Sequence, residues 1–446
     1  MSGTAFQRTL PRGCVSERVP LTFMTKPGSD PTKPGSDPVH ALNTTDSPRH
    51  AHVVVLATFA TQMVVAMSNS TLPTIAPKLA EALGVQPALI GYQVSMLFGA
   101  AVVGTLFGGS CTRRLGACRT MQLSIALCAA GLMTMIVPSV WAIVAGSLVA
   151  GFGQGILNSA TAHLLVAYTP AARRNLLFSI KQSGVPFGGM VVALTAPAIA
   201  LALGWQWAVA VVVVMIVVVI ALVQPMRAAW DADRDRDADA NPQKFGGVPL
   251  VLSQPALRWI SLTGLLFSSV QRCLLTFTVI YLVAERGYSL IEAGVMLSLI
   301  QAGGIVGRLA WGWIADRWSS TSVLLIIASV TVVDTFALIA LQADWPRAAV
   351  YAMFFVFGAA ALGWNGVLHA ETARLSPPGL ASVVAGGSTF FVFAGVLIGP
   401  SVFALLYPLI GSYSATFGML ALAAAGGGAL VLVARRDARA ELARAA

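Results

Sequence analysis

Twelve apolar runs, each long enough to cross a lipid bilayer, constrain this chain more than any other feature. They lie near residues 53–73, 88–110, 119–137, 141–167, 176–201, 205–225, 257–284, 289–315, 321–341, 347–373, 381–407 and 412–434. A spanning helix needs about 20 mostly apolar residues, and in hydrocarbon its backbone polar groups must pair within the segment. The chain is 57% hydrophobic and only 10% charged, whereas soluble domains carry about 25% charged residues. The expected fold class is an all-α membrane protein with twelve transmembrane helices, embedded in a lipid bilayer.

Polar segments divide the runs. Residues 1–50 include a tandem heptad, Thr25-Lys-Pro-Gly-Ser-Asp-Pro31 and Thr32-Lys-Pro-Gly-Ser-Asp-Pro38. That composition cannot bury a core and predicts a disordered tail. No apolar run near Met1 reads as a signal peptide. Residues 226–256 contain the charge-alternating stretch Asp231-Ala-Asp-Arg-Asp-Arg-Asp-Ala-Asp239, which reads as a solvated linker. The expected organisation is a tail (1–50), a six-helix bundle (51–225), a linker (226–256), a second six-helix bundle (257–434) and a short tail (435–446).

The formal net charge is +10. Its placement points to a membrane rather than to nucleic acid. Lys and Arg gather in the terminal tails and in alternate loops. Only Lys78, Arg286 and Arg347 fall in the other loops, and Lys181, Arg272 and Arg308 lie inside apolar runs. The positive-inside rule then places both termini in the cytoplasm, with the chain in the cell (inner) membrane. The five cysteines are odd in number and form no C-x-x-C, which favours reduced thiols over a disulfide framework or a metal site. No nucleophile–base constellation appears, so neither enzymatic activity nor a cofactor is expected.

The chain repeats itself. Gly104, Gly109 and Arg114 recur as Gly307, Gly312 and Arg317 at an offset of 203. Gly151, Asn158 and Pro170 recur as Gly358, Asn365 and Pro377 at an offset of 207. The two offsets place run 2 on run 8 and run 4 on run 10.

A charge near the centre of a membrane helix costs about 2.5–3.5 kcal/mol on insertion scales. Lys181, Arg272 and Arg308 therefore need a water-filled cavity or a partner. Arg272 follows Gln271 halfway along its run. Gln62 and Asn69 share a face of run 1. Gln154, Asn158 and Thr161 share a face of run 4. Asn365 and His369 are four apart in run 10. His163 and His369 could titrate near neutral pH.

The stretch Gly312-Trp-Ile-Ala-Asp316-Arg317 resembles the inter-helix loop motif of the major facilitator superfamily, roughly G-x-x-x-D-R. The resemblance covers about residues 53–434. It implies two pseudo-symmetric six-helix bundles, alternating access, and a central cavity lined by spans 1, 4, 7 and 10. One chain would then suffice as a monomer. Arg308, four residues before Gly312, is similar to the carboxylate-binding arginine of the monocarboxylate porter branch, and a cyanate-type porter is a related comparison. That branch has an acid where Gly304 stands here. Lys181-Gln-Ser-Gly184-Val-Pro186-Phe-Gly188 resembles the span-5 glycine–proline motif tied to gating.

The resemblance further implies a charge lock at the cytoplasmic end, with Asp316, Arg317, Glu371 and Arg374 as candidates. The first half departs from the motif, since Arg113 stands at the acidic position. Asn69-Ser-Thr-Leu-Pro-Thr-Ile-Ala76 is similar to a drug-antiporter pattern, but Val64 stands where its aspartate would be.

These readings predict a secondary transporter of a small organic anion, a monocarboxylate above all. The substrate-binding candidates are Arg272, Arg308, Lys181, Gln271, Asn69, Asn158 and Asn365. The coupling and gating candidates are Asp316, Arg317, Glu371, Arg374, His369, Gly184, Pro186 and Gly188. Uptake against an inside-negative potential would need a co-transported proton or an exchanged anion. Two alternatives stay open: an exporter of amphiphilic or toxic compounds, and a non-transporting membrane sensor.

Overall fold

The apolar runs fold as helices. A computed structural model of the chain describes residues 48–169, 174–235, 247–342, 344–377 and 380–445. The tandem heptad and most of the charge-alternating stretch lie outside the described residues. Among the described residues all regular structure is helical.

The first half comprises α1 (Pro48–Thr74), α2 (Ala76–Leu83), α3 (Ile90–Leu115), α4 (Ala117–Met135), α5 (Val140–Tyr168), α6 (Arg174–Ala202), α7 (Trp205–Val223) and the short α8 (Arg227–Trp230). The second comprises the short α9 (Gly247–Ser253), then α10 (Pro255–Arg286), α11 (Leu290–Arg317), α12 (Ser320–Ile339), α13 (Arg347–Gly363), α14 (Asn365–Arg374), α15 (Ala381–Ile410) and α16 (Tyr413–Ala445). Collinear α13 and α14 form one span that breaks at the fully buried Trp364, whose indole N–H donates to the Ala361 carbonyl at 3.0 Å.

Eleven of these segments are long and apolar enough to cross a membrane. The twelfth expected span is α4, which is 19 residues long and carries Arg119 and Gln122 in its first turns. Those two side chains lower its hydropathy, yet it packs against α5, α7 and α1 like the others. The spans alternate in direction. Both described termini therefore lie at one end of the bundle, together with Arg113, Arg114, Arg119, Arg227, Arg317 and Arg374. This is the basic end below.

The two sequence offsets meet in space. A Cβ on Gly104 would run into the Phe152 carbonyl, and one on Gly307 into the Ala359 carbonyl. These are the same contact, moved by 203 residues on one helix and 207 on the other. Gly151 against the Leu97 carbonyl repeats in the same way as Gly358 against the Ile300 carbonyl. The repeated glycines are thus the places where α3 closes on α5 and α11 on α13. Small residues permit such approach where lipid supplies no hydrophobic drive between helices.

Three helix starts in the second half are capped by side chains, which pair the first backbone N–H groups that a helix leaves without an internal partner. Ser289 and Glu292 form a capping box on α11. Ser319 accepts from the Ser322 N–H at the start of α12. Glu285 caps α16, accepting from the Ser414 N–H at 2.9 Å and from the Tyr413 N–H.

The linker corrects the expectation of full solvation. Asp231 is buried, and its Oδ1 accepts from the Cys118 N–H at 2.7 Å and the Arg119 N–H at 3.4 Å. It caps α4, whose own cap position is Gly116 and offers no side chain. Nearby, His163 meets Asp233 at 2.6 Å, and the Asp235 N–H donates to the Arg113 carbonyl at 2.9 Å. His163 therefore makes an exposed hydrogen bond from α5 to the linker.

Candidate functional site

Where the halves meet, they are sealed at the end opposite the basic one. Phe277 of α10 stacks on Phe403 of α15 with ring centroids 3.9 Å apart, and both are fully buried. Gly91 at the start of α3 lies against the Pro400 carbonyl and the Phe277 ring. On the other side Gly294 of α11 lies against the Ala193 carbonyl and Pro197 of α6. Glycine is required at both places, because a Cβ would strike backbone.

On the basic side of these seals lies a cavity of about 370 Å³ between the halves. Its walls come from α3, α6, α10, α11, α14 and α15. Arg272, Gln271 and Ser268 of α10 reach it near mid-span, as does Arg308 from α11. Asn365 and His369 line it from α14, and Ser179, Gln182 and Ser183 from α6. Phe98, Phe178 and Phe393 supply apolar wall. Ser179, Gln182 and His369 are exposed, so the cavity is accessible from the basic end.

Both arginines lack an acidic partner among the described residues. The Arg272 guanidinium lies over the Phe98 ring at 4.2 Å, and its buried Nε has no hydrogen-bond acceptor. Arg308 donates from Nε to the Leu362 carbonyl at 3.3 Å and from Nη1 to the Gln182 carbonyl at 3.1 Å. The second bond joins α11 to α6 across the halves. Gln271 accepts from the Asn365 amide at 3.4 Å, which ties α10 to α14. No carboxylate lines the cavity among the described residues. An unpaired guanidinium in a confined site is a preformed fork for a carboxylate or another oxyanion.

Several sequence candidates lie elsewhere. Lys181 does not line the cavity. It is buried, on the face of α6 opposite Ser179 and Ser183, and its Nζ is 3.4 Å from Asn158 Oδ1. Gly184 and Gly188 share that face and close α6 onto α1, against the Phe59 and Met63 carbonyls. Pro186 lies within α6 between them. Asn69 is buried in α1 with an unpartnered Oδ1, and Gln62 and Gln154 likewise keep an unpartnered oxygen. Thr161 is bonded to its own helix backbone. Thus α1 and α5, expected to wall the cavity, contribute no residue to its lining; α6 packs on α1, and α5 packs mainly on α3 and α4. The serine and glutamine face of α6 was missed, although the spacing Ser179, Gln182, Ser183 marks a polar face in the sequence.

The lock candidates divide. Arg374 grips the buried Glu371 in a two-pronged ion pair, with bonds of 2.6 and 2.9 Å. Asp316 is exposed and makes no ion pair among the described residues. Arg317 lies over the Trp313 ring at 3.6 Å and donates to the Trp313 carbonyl. In this conformation the four residues do not form one cluster.

Two pseudo-symmetric helical halves around a polar cavity that is closed at one end define a membrane transporter fold. The Major Facilitator Superfamily profile matches residues 58–400, and the chain belongs to that superfamily. Its fold is similar to the crystal structure of the peptide transporter POT in complex with sulfate, with a TM-score of 0.70 and 15% identity over 86% of this chain and 95% of that one. It is also similar to a bacterial homologue of the human lysosomal transporter Spinster, in an inward-facing and unoccupied conformation. There the TM-score is 0.66, with 14% identity over 88% of this chain and 96% of that one. At these identities the likeness is one of fold. No curated protein sequence matches the chain.

Proposed function

We propose that this transporter carries a small organic anion, a monocarboxylate above all, by alternating access. The observation that carries the reading is the pair Arg272 and Arg308, which reach one cavity from adjacent helices with no carboxylate in its lining among the described residues. Each costs about 2.5–3.5 kcal/mol to hold within a span, and an anionic ligand offsets that cost. The cavity volume of about 370 Å³ suits a small molecule. Gln271 and Asn365 would add neutral hydrogen bonds beside the carboxylate. We place the basic end and both termini in the cytoplasm of a cell membrane, with one chain as the working unit.

Coupling follows from what lines the site. The expected acid is replaced by Gly304, which packs against the Leu362 side chain. Among the described lining residues His369 carries the one imidazole, a side chain that can take up and release a proton. In uptake it would accompany the anion with a proton, because an inside-negative potential opposes a monoanion by about 2.3 kcal/mol per 100 mV.

The aromatic wall favours a second reading, export of amphiphilic anions, in which the rings hold the apolar part. One experiment separates the two. Proteoliposomes containing wild type, Arg272→Ala or Arg308→Ala are given labelled small carboxylates, with and without a pH gradient. Gradient-driven accumulation that falls at least tenfold in either variant is the expected result. Carboxylate flux indifferent to both arginines would sink the anion site. Flux of amphiphiles alone would favour export.

A further inference from the structure

A second, larger cavity lies outside the transport path. It is a groove of about 980 Å³ on the flank of the first half, between the ends of α3 and α7 and the start of α4. Four guanidinium groups line its rim: Arg114, Arg119, Arg227 and Arg234. No carboxylate lines it among the described residues. Arg227 is 3.8 Å from Asp231, but that carboxylate is turned onto the start of α4. Arg119 donates to Gln122 at 3.2 Å. The inner wall is apolar, built from Phe107, Leu123 and Ile220, and Leu123 is exposed.

The depth of these residues is informative. The arginines sit at the end of α3, at the start of α4, on α8 just beyond α7, and on the linker, where the basic end leaves the membrane. The apolar wall lies one to two turns further into the spans. Positive charge at headgroup level above an apolar slot matches a phospholipid with an anionic head. A free inorganic anion would leave the slot uncovered, and a zwitterionic lipid would set its own cation against the arginines. We propose that this groove binds an anionic phospholipid. Its phosphate is held by Arg114, Arg119 and Arg234, and an acyl chain lies along Leu123 and Ile220. Basic pockets between spans are built for such headgroups. The occupant would hold the α3–α4 turn against the linker, independently of what the central cavity carries.

The test uses the full chain purified in detergent. Retention of phosphatidylglycerol and of phosphatidylcholine is measured by native mass spectrometry. Wild type is compared with Arg114→Gln/Arg234→Gln, with Leu123→Trp, and with Arg435→Gln/Arg436→Gln as a control of equal charge loss on α16. Wild type and control should retain phosphatidylglycerol over phosphatidylcholine. Both groove variants should lose that preference, the arginine variant by at least about fivefold, the factor expected per arginine near an anionic headgroup. Leu123→Trp keeps every charge and fills the slot, so it stays decisive should the arginine variant not purify. Equal retention of the two lipids by wild type, or an unchanged preference in Leu123→Trp, overturns the proposal. So does displacement of the lipid by millimolar inorganic phosphate.

Discussion

The two halves make the same turn at the same place and cap the next helix in different ways. In the first half Arg113-Arg114-Leu115-Gly116 joins α3 to α4. In the second, Asp316-Arg317-Trp318-Ser319 joins α11 to α12. The offset of 203 lays one on the other residue for residue. Ser319 caps its own helix locally. Gly116 has no side chain to do so, and the cap arrives from Asp231, 113 residues from the Cys118 N–H that it accepts. One half therefore has a self-contained turn. The other has a turn fastened to the segment that follows α7, which makes the turn, the end of α7 and the linker one unit.

The largest effect is expected at Gly116. Its φ is +94°, a conformation L side chains rarely adopt, and a Cβ there would strike the Asp231 carboxylate. Strain of about 1–3 kcal/mol adds to loss of the cap, about 1 kcal/mol. Gly116→Ala should lower the unfolding temperature of the purified protein sharply. Gly312→Ala, whose Cβ meets nothing within 4 Å, should leave it unchanged. Equal effects at the two glycines would break the comparison.

Next comes Asp231. Removing the acceptor in Asp231→Ala should cost about 1–2 kcal/mol. Burial pushes the Asp231 carboxyl up from its ordinary value, against the lowering by the Cys118 and Arg119 N–H groups and by Arg227 and Arg234. A raised value in the folded state means the folded protein takes up this proton more readily than the unfolded chain. The stability from this group is then fullest at low pH and is lost as pH rises through the folded value. Asp231→Asn keeps an acceptor and removes the charge. It should unfold close to wild type and flatten the decline between acid and neutral pH. A steeper decline in Asp231→Asn would contradict burial as the dominant effect. In the second half the expected cost is smaller: about 1 kcal/mol for Ser319→Ala and a few tenths for Ser319→Gly. Thermal unfolding ranks the three sites.

The repeat itself is legible in the amino-acid sequence. Two offsets differing by four residues identified α3–α5 and α11–α13 as equivalent pairs, because glycines at backbone contacts tolerate no substitute. Twelve spans were legible because lipid requires length and apolarity together, and Arg119 and Gln122 make α4 the faintest of them. Arg272 and Arg308 stood out because a charge in a span is expensive. The α4 cap was not legible. Asp231 opens a run of alternating charges that looks solvated, and nothing local distinguishes it from Asp233 or Asp235. The facing of Lys181 was legible only in part. Its face of α6 is shared with Gly184 and Gly188, which marks packing rather than a cavity wall. The state of the lock was not legible either, because an ion pair that exists in one conformation leaves no mark in the sequence beyond its two charges.

The smallest effect on stability, and the most telling one for function, is expected at Asp316. The first half already carries arginine at the equivalent place, so Asp316→Arg makes the turns alike. Asp316 is exposed and makes no ion pair among the described residues, with the basic end open, so the folded state should lose less than about 0.5 kcal/mol. Any role in a lock belongs to the conformation in which that end is closed, where Asp316 would approach its partner across the halves. Removing an attraction of about 1 kcal/mol shifts the open-to-closed ratio by about fivefold. A cysteine at Gln182, on the exposed face of α6 that lines the cavity, reports the ratio in a background without native thiols. With Asp316→Arg it should be labelled faster from the basic side, at unchanged unfolding temperature. Labelling that is unchanged or slower would free Asp316 from any lock. The difference between the two turns would then concern helix capping alone.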